Sequence, residues 1–260
     1  MIMQHEITRE RSLLDANGNI AEPGFARSAL PIYSRRAVKA PAVRIKEWDY
    51  YLINNGRWAL ALTVADNGYM GLDSISFIDL ENLWQHTASP MSVLPLGRRH
   101  LPESSQRGDV VVRGKDYSME FRHVSDGRRL TFSMSGFSGS LPIQGEILLT
   151  QEPEESIVMC TPFRQKAHFY YNQKINCLRA EGSVTVRSRR YDFTPDTAFG
   201  VLDWGRGVWP YRNTWYWGSA SGEADGVPFG FNIGYGFGDT TAATENALIY
   251  DGKLHKLSRV

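Results

Sequence analysis

Between Asp203 and Trp217 the chain reads Asp-Trp-Gly-Arg-Gly-Val-Trp-Pro-Tyr-Arg-Asn-Thr-Trp-Tyr-Trp, placing an acid, two arginines and four of the seven tryptophans in one glycine-broken stretch. Indole is apolar surface with a single donor, so such a cluster beside ionisable groups predicts a low-dielectric wall with a few fixed polar contacts, the composition of a small-molecule site. A carboxylate desolvated by indole has a raised pKa and can act as proton donor to an alkene or a leaving oxygen, which makes Asp203 the first candidate acid. The competing reading pairs Asp203 with Arg206 or Arg212 and leaves it an ionised loop pin. Glu245, in Ala-Thr-Glu-Asn-Ala, is the second candidate carboxylate. Trp204, Trp209, Trp215 and Trp217 are the candidate apolar wall. Arg206 or Arg212 would anchor a polar ligand group, with Asn213 and Asn246 as further ligand contacts.

Other chemistries find no support. Gly218-Ser-Ala-Ser-Gly222 puts Ala220 where a nucleophile elbow needs serine. The six histidines fall singly and the two cysteines, Cys160 and Cys177, lack ligand spacing, so neither a metal nor any other cofactor is expected. A net charge of +1 supplies no field for nucleic acid. Two cysteines, read as free buried thiols, fit a reducing compartment. The amino terminus carries no secretory pattern and no window is apolar enough to span a membrane, so the expectation is cytoplasmic, with a hydrophobic small molecule as partner.

The elements that must hold these residues are strands. Short alternating runs separated by turn dipeptides recur, and a long 3.6-residue period is hard to find. Residues 43–53 and 57–65 flank Asn54-Asn55-Gly56 and predict a tight hairpin. Further strands are expected over 117–124, 129–134, 183–191 and 247–250, and a strand over 196–204 would leave Asp203 at its end, at a barrel mouth. The proline-bearing segment 81–109 reads as a long excursion that either gates a cavity or runs over the surface. From Phe229 to Gly238 bulky residues alternate with glycine or asparagine, so one strand face is bulky, taken as core, and the other bare, open to a tight neighbour or a ligand.

Five runs together resemble the domain of unknown function family 2804 over nearly the whole chain: Leu14-Asp-Ala-Asn-Gly, Glu22-Pro-Gly-Phe-Ala-Arg, Lys46-Glu-Trp-Asp-Tyr-Tyr, Asp203-Trp-Gly-Arg-Gly-Val-Trp-Pro and Thr244-Glu-Asn-Ala-Leu-Ile-Tyr-Asp-Gly-Lys. More distantly, the order Tyr171, Cys177 through Gly182 to Tyr191, Asp203-Trp-Gly and Trp215-Tyr-Trp is similar to the tandem lipocalin-like group of carotenoid 1,2-hydratases, AttH-like proteins, tocopherol cyclase and Diels–Alderases. That resemblance implies an all-β chain of two lipocalin-like antiparallel β-barrel halves, residues 1–165 and 166–260, the second ending before the strands that would close it. An unclosed barrel leaves a strand edge open to self-association. It also implies an apolar ligand at or between the barrels, bound by a carrier or subjected to acid-assisted hydration, isomerisation or cyclisation. Asp203 matches the aspartate of the group's Asp-His-x-x-Gly-like motif, with Trp204 where the histidine would stand, which departs from a hydratase-type relay.

Overall fold

The protein is described by a computed structural model covering residues 4–258. Alternation dominates it. An amino-terminal stretch contributes β1 (Arg11–Ser12), β2 (Gly24–Ala26) and β3 (Pro31–Ile32). Next come β4 (Lys46–Asn54), β5 (Trp58–Asp66), β6 (Met70–Asp79), β7 (Trp84–Ala88) and β8 (Met91–Val93). After an irregular segment follow β9 (Val110–Arg113), β10 (Tyr117–Val124), β11 (Gly127–Ser138), β12 (Leu141–Thr150), β13 (Ile157–Pro162), β14 (Phe169–Val186), β15 (Arg189–Phe193) and β16 (Phe199–Val208). The last strands are β17 (Tyr216–Ala224), β18 (Val227–Tyr235), β19 (Ala247–Tyr250) and β20 (Lys253–Lys256). Two single 3₁₀ turns, Arg35–Ala37 and Ala42–Arg44, are the helical content of the described residues.

One antiparallel sheet carries the strand order β7-β6-β5-β4-β16-β14-β12-β11-β10-β9. It curls until its two flanks meet: Tyr117 of β10 donates to Asp73 of β6 at 2.6 Å, and the ring of Phe137 of β11 stands edge-on to His86 of β7 at 5.0 Å. The enclosed core holds Leu60, Leu62, Phe77, Phe121, Phe132 and Trp204. A separate four-stranded sheet, β17-β18-β19-β20, stands against the outer face of this barrel. A second small core lies there, with Met159 and Cys177 meeting Ala247 and Ile249. The division expected at residue 165 falls in the turn between β13 and β14, which pair with each other antiparallel, so backbone hydrogen bonds cross it.

The expected hairpin is β4–β5, but its turn is not the tight two-residue kind. Gly56 alone takes positive φ (+81°), while Asn54 Oδ1 accepts from Gly56 N at 2.6 Å and Asn55 Oδ1 from Trp58 N at 2.9 Å, the short amide side chains closing a longer loop. Strands 117–124 and 247–250 stand as expected, and 129–134 lies inside β11. The stretch 183–191 is instead the end of β14, a turn at Arg187 and the start of β15. The excursion 81–109 includes β7 and β8 and closes one end of the barrel interior: Pro102 O accepts from Arg206 at 2.7 Å and Ser105 O from Arg128 at 2.6 Å. In β18 the bulky side is the outer one, with Tyr235 exposed, whereas Gly230, Asn232 and Gly234 are buried. A side chain at Gly230 would collide with Cys177, and one at Gly234 with Glu245, so the bare face serves close packing.

Candidate functional site

The site is built on the outer faces of β4, β16 and β14, at the centre of the large sheet. Asp203 sits mid-strand in β16, not at its end, opposite Tyr50 on one side and Lys174 on the other. Successive side chains of a strand point to opposite faces. Asp203 and the glycines at 205 and 207 therefore face outward, while Trp204 and Arg206 face the barrel interior. On β4 the same alternation sends Glu47, Asp49 and Tyr51 inward and Trp48 and Tyr50 outward. On β14 it turns Tyr170, Asn172 and Lys174 out.

These outward residues form the floor of a cleft of about 260 Å³, with Thr63 from β5 beside them. Its far wall comes from Trp209, Trp215 and Trp217, together with Phe237 and Glu245 from beyond β18. The rings interlock at the rim: Trp48 is edge-on to Trp209 at 5.5 Å, Trp209 meets Phe237 at 5.4 Å, and Tyr50 is edge-on to Trp217 at 6.2 Å. Trp48 also stacks on Tyr170 at 6.1 Å. The indole-rich ribbon thus borders free volume along one side.

The polar centre of the floor is an ion pair. Lys174 Nζ lies 2.7 Å from Asp203 Oδ2, and both are largely withdrawn from water, with side-chain exposures of 3% and 13%. Asp203 Oδ1 also accepts from Asn172 Nδ2 at 2.6 Å and from Trp48 Nε1 at 3.2 Å. Lys174 reaches Tyr170 Oη at 3.4 Å and sits 4.7 Å from the centre of the Trp217 ring. Asp203 therefore has a basic partner, but neither of the arginines considered from sequence. Burial pushes the Tyr170 phenol well above its ordinary pKa, and the charges of Asp203 and Glu245 add to the shift, so this hydroxyl keeps its proton in the cleft. Tyr50 is raised in the same direction by burial and by Asp203.

Glu245 does reach the cleft, where its Oε2 accepts from Asn232 Nδ2 at 3.1 Å. Asn232 in turn accepts from Trp217 Nε1 at 2.7 Å, linking the carboxylate to the wall. The other expected contacts do not converge there. Trp204, 1% exposed, packs edge-on against Tyr33 and Tyr171 inside the barrel. Arg206, fully buried, donates to Asp49 at 2.9 Å and to the carbonyls of Trp48, Gly205 and Pro102, a structural clamp that no ligand reaches. Arg212 is exposed beyond the wall, and Asn213 donates to the carbonyl of Pro210, bracing the turn. Asn246 is buried with its Oδ1 accepting from Gly234 N at 2.7 Å. Contiguity in sequence is the wrong guide here, since alternation sends half of a dense motif to the opposite face.

Sequence reasoning missed Trp48, Tyr50, Thr63, Tyr170, Lys174 and Phe237. The signal for the β14 contribution was the run Tyr170-Tyr-Asn-Gln-Lys-Ile-Asn176, in which polar residues recur at Asn172, Lys174 and Asn176 within an otherwise buried strand. Trp48 and Tyr50 lie two apart in Lys46-Glu-Trp-Asp-Tyr-Tyr, on one strand face. Among the described residues no group of three or more His, Cys, Asp or Glu side chains is arranged to hold a metal, and no helix is long and apolar enough to cross a membrane.

The model of the domain of unknown function family DUF2804 matches residues 4–260. No curated protein matches the sequence. Among solved structures, an AttH candidate of Nitrosomonas europaea superposes with a TM-score of 0.52 at 12% identity, covering 83% of this chain and 68% of that one. Kievitone hydratase of Nectria haematococca gives a TM-score of 0.46 at 11% identity, covering 95% of this chain and 74% of its own. CghA gives 0.44 at 14%, covering 97% and 68%. The first of these likenesses establishes the fold, an all-β, lipocalin-like barrel architecture.

Proposed function

From the premise that the chain belongs to DUF2804 across residues 4–260, we propose that it binds a hydrophobic small molecule between the barrel and the β17–β20 sheet. The observation that carries this reading is the cleft itself: seven aromatic side chains around a buried Lys174–Asp203 pair, open along one side. Trp209, Trp215 and Trp217 serve as the apolar wall, and the protonated Tyr170 hydroxyl with Lys174 and Asp203 fixes one polar group of the ligand. A volume of about 260 Å³ lies just under the usual ~300–1,000 Å³ of small-molecule sites, so the ligand is small or leaves part of its body outside. The two parts of the chain divided near residue 165 both contribute to this cleft, Trp48, Tyr50 and Thr63 from the first and the rest of the lining from the second.

The placement of two carboxylates in an apolar cleft favours a second reading, acid-assisted hydration, isomerisation or cyclisation. For hydration, the proton of Lys174 passes first to Asp203 at 2.7 Å and from there to a bound alkene, water adds to the resulting cation, and Glu245 takes the proton that the added water releases, solvent then returning it to Lys174. A carrier differs only in lacking this transfer.

The test is small-molecule mass spectrometry of the purified full chain, joined to titration with the neutral fluorophore N-phenyl-1-naphthylamine. The expected result is a copurifying apolar compound, or saturable fluorophore binding that the wild type shows and Trp217→Ala loses. Absence of both would refute binding. Asp203→Asn then divides the readings, since a carrier retains the ligand unchanged while an enzyme retains it and stops converting it.

A further inference from the structure

The cleft has a sign as well as a shape. Among the residues that line it, two carboxylates, Asp203 and Glu245, stand against one ammonium, Lys174, with the ammoniums of Lys46 and Lys256 nearby but outside the lining. The ion pair cancels Asp203 against Lys174 at 2.7 Å. Glu245 is the remainder. Its side chain accepts a neutral amide donor, Asn232, and forms no ion pair among the described residues. The nearby ammonium of Lys256 is turned to Thr244 Oγ1 at 3.2 Å and to the carbonyl of Asn246 at 2.8 Å.

The walls act in the same direction. An aromatic face carries negative quadrupolar potential and draws cations, most strongly where water is excluded. Two indoles of this wall already hold one: Lys174 lies 4.7 Å from the centre of Trp217, and Lys46 lies 5.5 Å from that of Trp209. An anionic head group entering the cleft would meet Glu245 and these ring faces together. A neutral apolar body would bury area there but give the Glu245 carboxylate no close cation, since Lys256 acts on it only through space.

Resting on the proposed binding role, we infer that the preferred ligand is a small organic cation, an amine or quaternary ammonium carried on an apolar body, with its charge held beside Glu245 against the aromatic faces of the cleft that Lys174 and Lys46 leave free. Fatty carboxylates and phosphorylated lipids are disfavoured by the same charge.

Two probes of nearly one shape decide it: phenyltrimethylammonium and its neutral carbon isostere tert-butylbenzene, each titrated against the intrinsic tryptophan fluorescence of the full chain at low salt. The cation is expected to bind about tenfold more tightly, within what desolvated ring faces and a carboxylate give a cation. Added sodium chloride should weaken the cation alone. Glu245→Gln, which keeps the acceptor for Asn232, should remove most of the preference while leaving tert-butylbenzene unchanged. Equal binding of both probes overturns the inference and leaves the binding role standing. Failure of both probes to bind overturns the two together. If Glu245→Gln does not fold, the salt dependence of the wild-type preference decides alone, a salt-independent preference refuting it.

Discussion

Removing the charge of Asp203 should cost more than removing the charge of Lys174, and removing both should cost less than the sum of the two. At 2.7 Å the pair has a gross attraction of about 6 kcal/mol at an effective dielectric of about 20. Desolvation offsets most of that. What a single deletion exposes is the stranded partner, which for buried pairs costs about 3–5 kcal/mol. Asp203→Asn strands Lys174, 3% exposed, with only Tyr170 Oη and the Trp217 face near it. Because asparagine keeps an acceptor for Asn172 and Trp48, and Asp203 is 13% exposed, the lower end applies, about 2.5–3 kcal/mol. Lys174→Met leaves a carboxylate still served by Asn172 and Trp48, so about 1–2 kcal/mol is expected. With both changes no charge remains, and the loss should return to about 1 kcal/mol, a coupling of roughly 3 kcal/mol. Urea unfolding of the four proteins, followed by tryptophan fluorescence and by far-ultraviolet circular dichroism with coincident transitions, measures it. A coupling under about 0.5 kcal/mol, the size of an exposed surface pair, would refute the picture of a desolvated charge pair on the cleft floor.

Trp204→Leu should destabilise the fold by about 3 kcal/mol yet leave probe affinity within twofold, whereas Trp217→Leu should do the reverse, losing about tenfold in affinity at small cost in stability; paired melts and titrations separate them. Arg206→Lys should behave as a severe fold defect, about 3 kcal/mol or more by urea midpoint, because an ammonium cannot reach Asp49 and three carbonyls with one fork. Gly205→Ala should cost about 1–3 kcal/mol and weaken probe binding, since its methyl would occupy the space of the Trp48 ring. The Lys256 amine, lowered to about 8 by burial, binds its proton less well folded than unfolded, so its penalty is full below pH 8 and is relieved as pH rises toward the unfolded value near 10.5. Burial raises the thiols of Cys160 and Cys177, which act in the opposite direction in the same range, so the check is the stability gap between wild type and Lys256→Met: the variant's advantage at pH 7 should shrink by pH 10.

The all-β character, the β4–β5 hairpin and the strands at 117–124 and 247–250 were legible because period-two alternation and turn residues are local properties. The β14–β15 break was not, since positive φ at Arg187 is imposed by the strands it joins rather than by an Asn or Gly in the sequence. Asp203 and Glu245 were legible as cleft residues from their type and company. The base beside Asp203 was not: Lys174 lies 29 positions away and becomes a neighbour only through the β14–β16 register, which pairs those two positions directly.

The same register explains why the densest motif divided between two tasks. In Asp203-Trp-Gly-Arg-Gly-Val-Trp209 the odd positions face the cleft and carry an acid, two glycines and an indole; the even ones face the barrel and carry Trp204, Arg206 and Val208. The inward set answers the two acids that β4 turns inward: Arg206 bonds to Asp49 at 2.9 Å, its Nε lies 3.9 Å from Glu47, and Trp204 lies under its guanidinium, 4.1 Å from ring centre. The outward set needs its glycines for a different reason. Gly205 gives up its side-chain space to the ring of Trp48, which crosses the strand to stack on Tyr170 and donate to Asp203. A bulkier residue there would lift that ring from the floor and break the contact between the aromatic rim and the ion pair. The glycines that make the motif look like a loop are therefore what allow a mid-sheet strand to serve as the floor of a cleft.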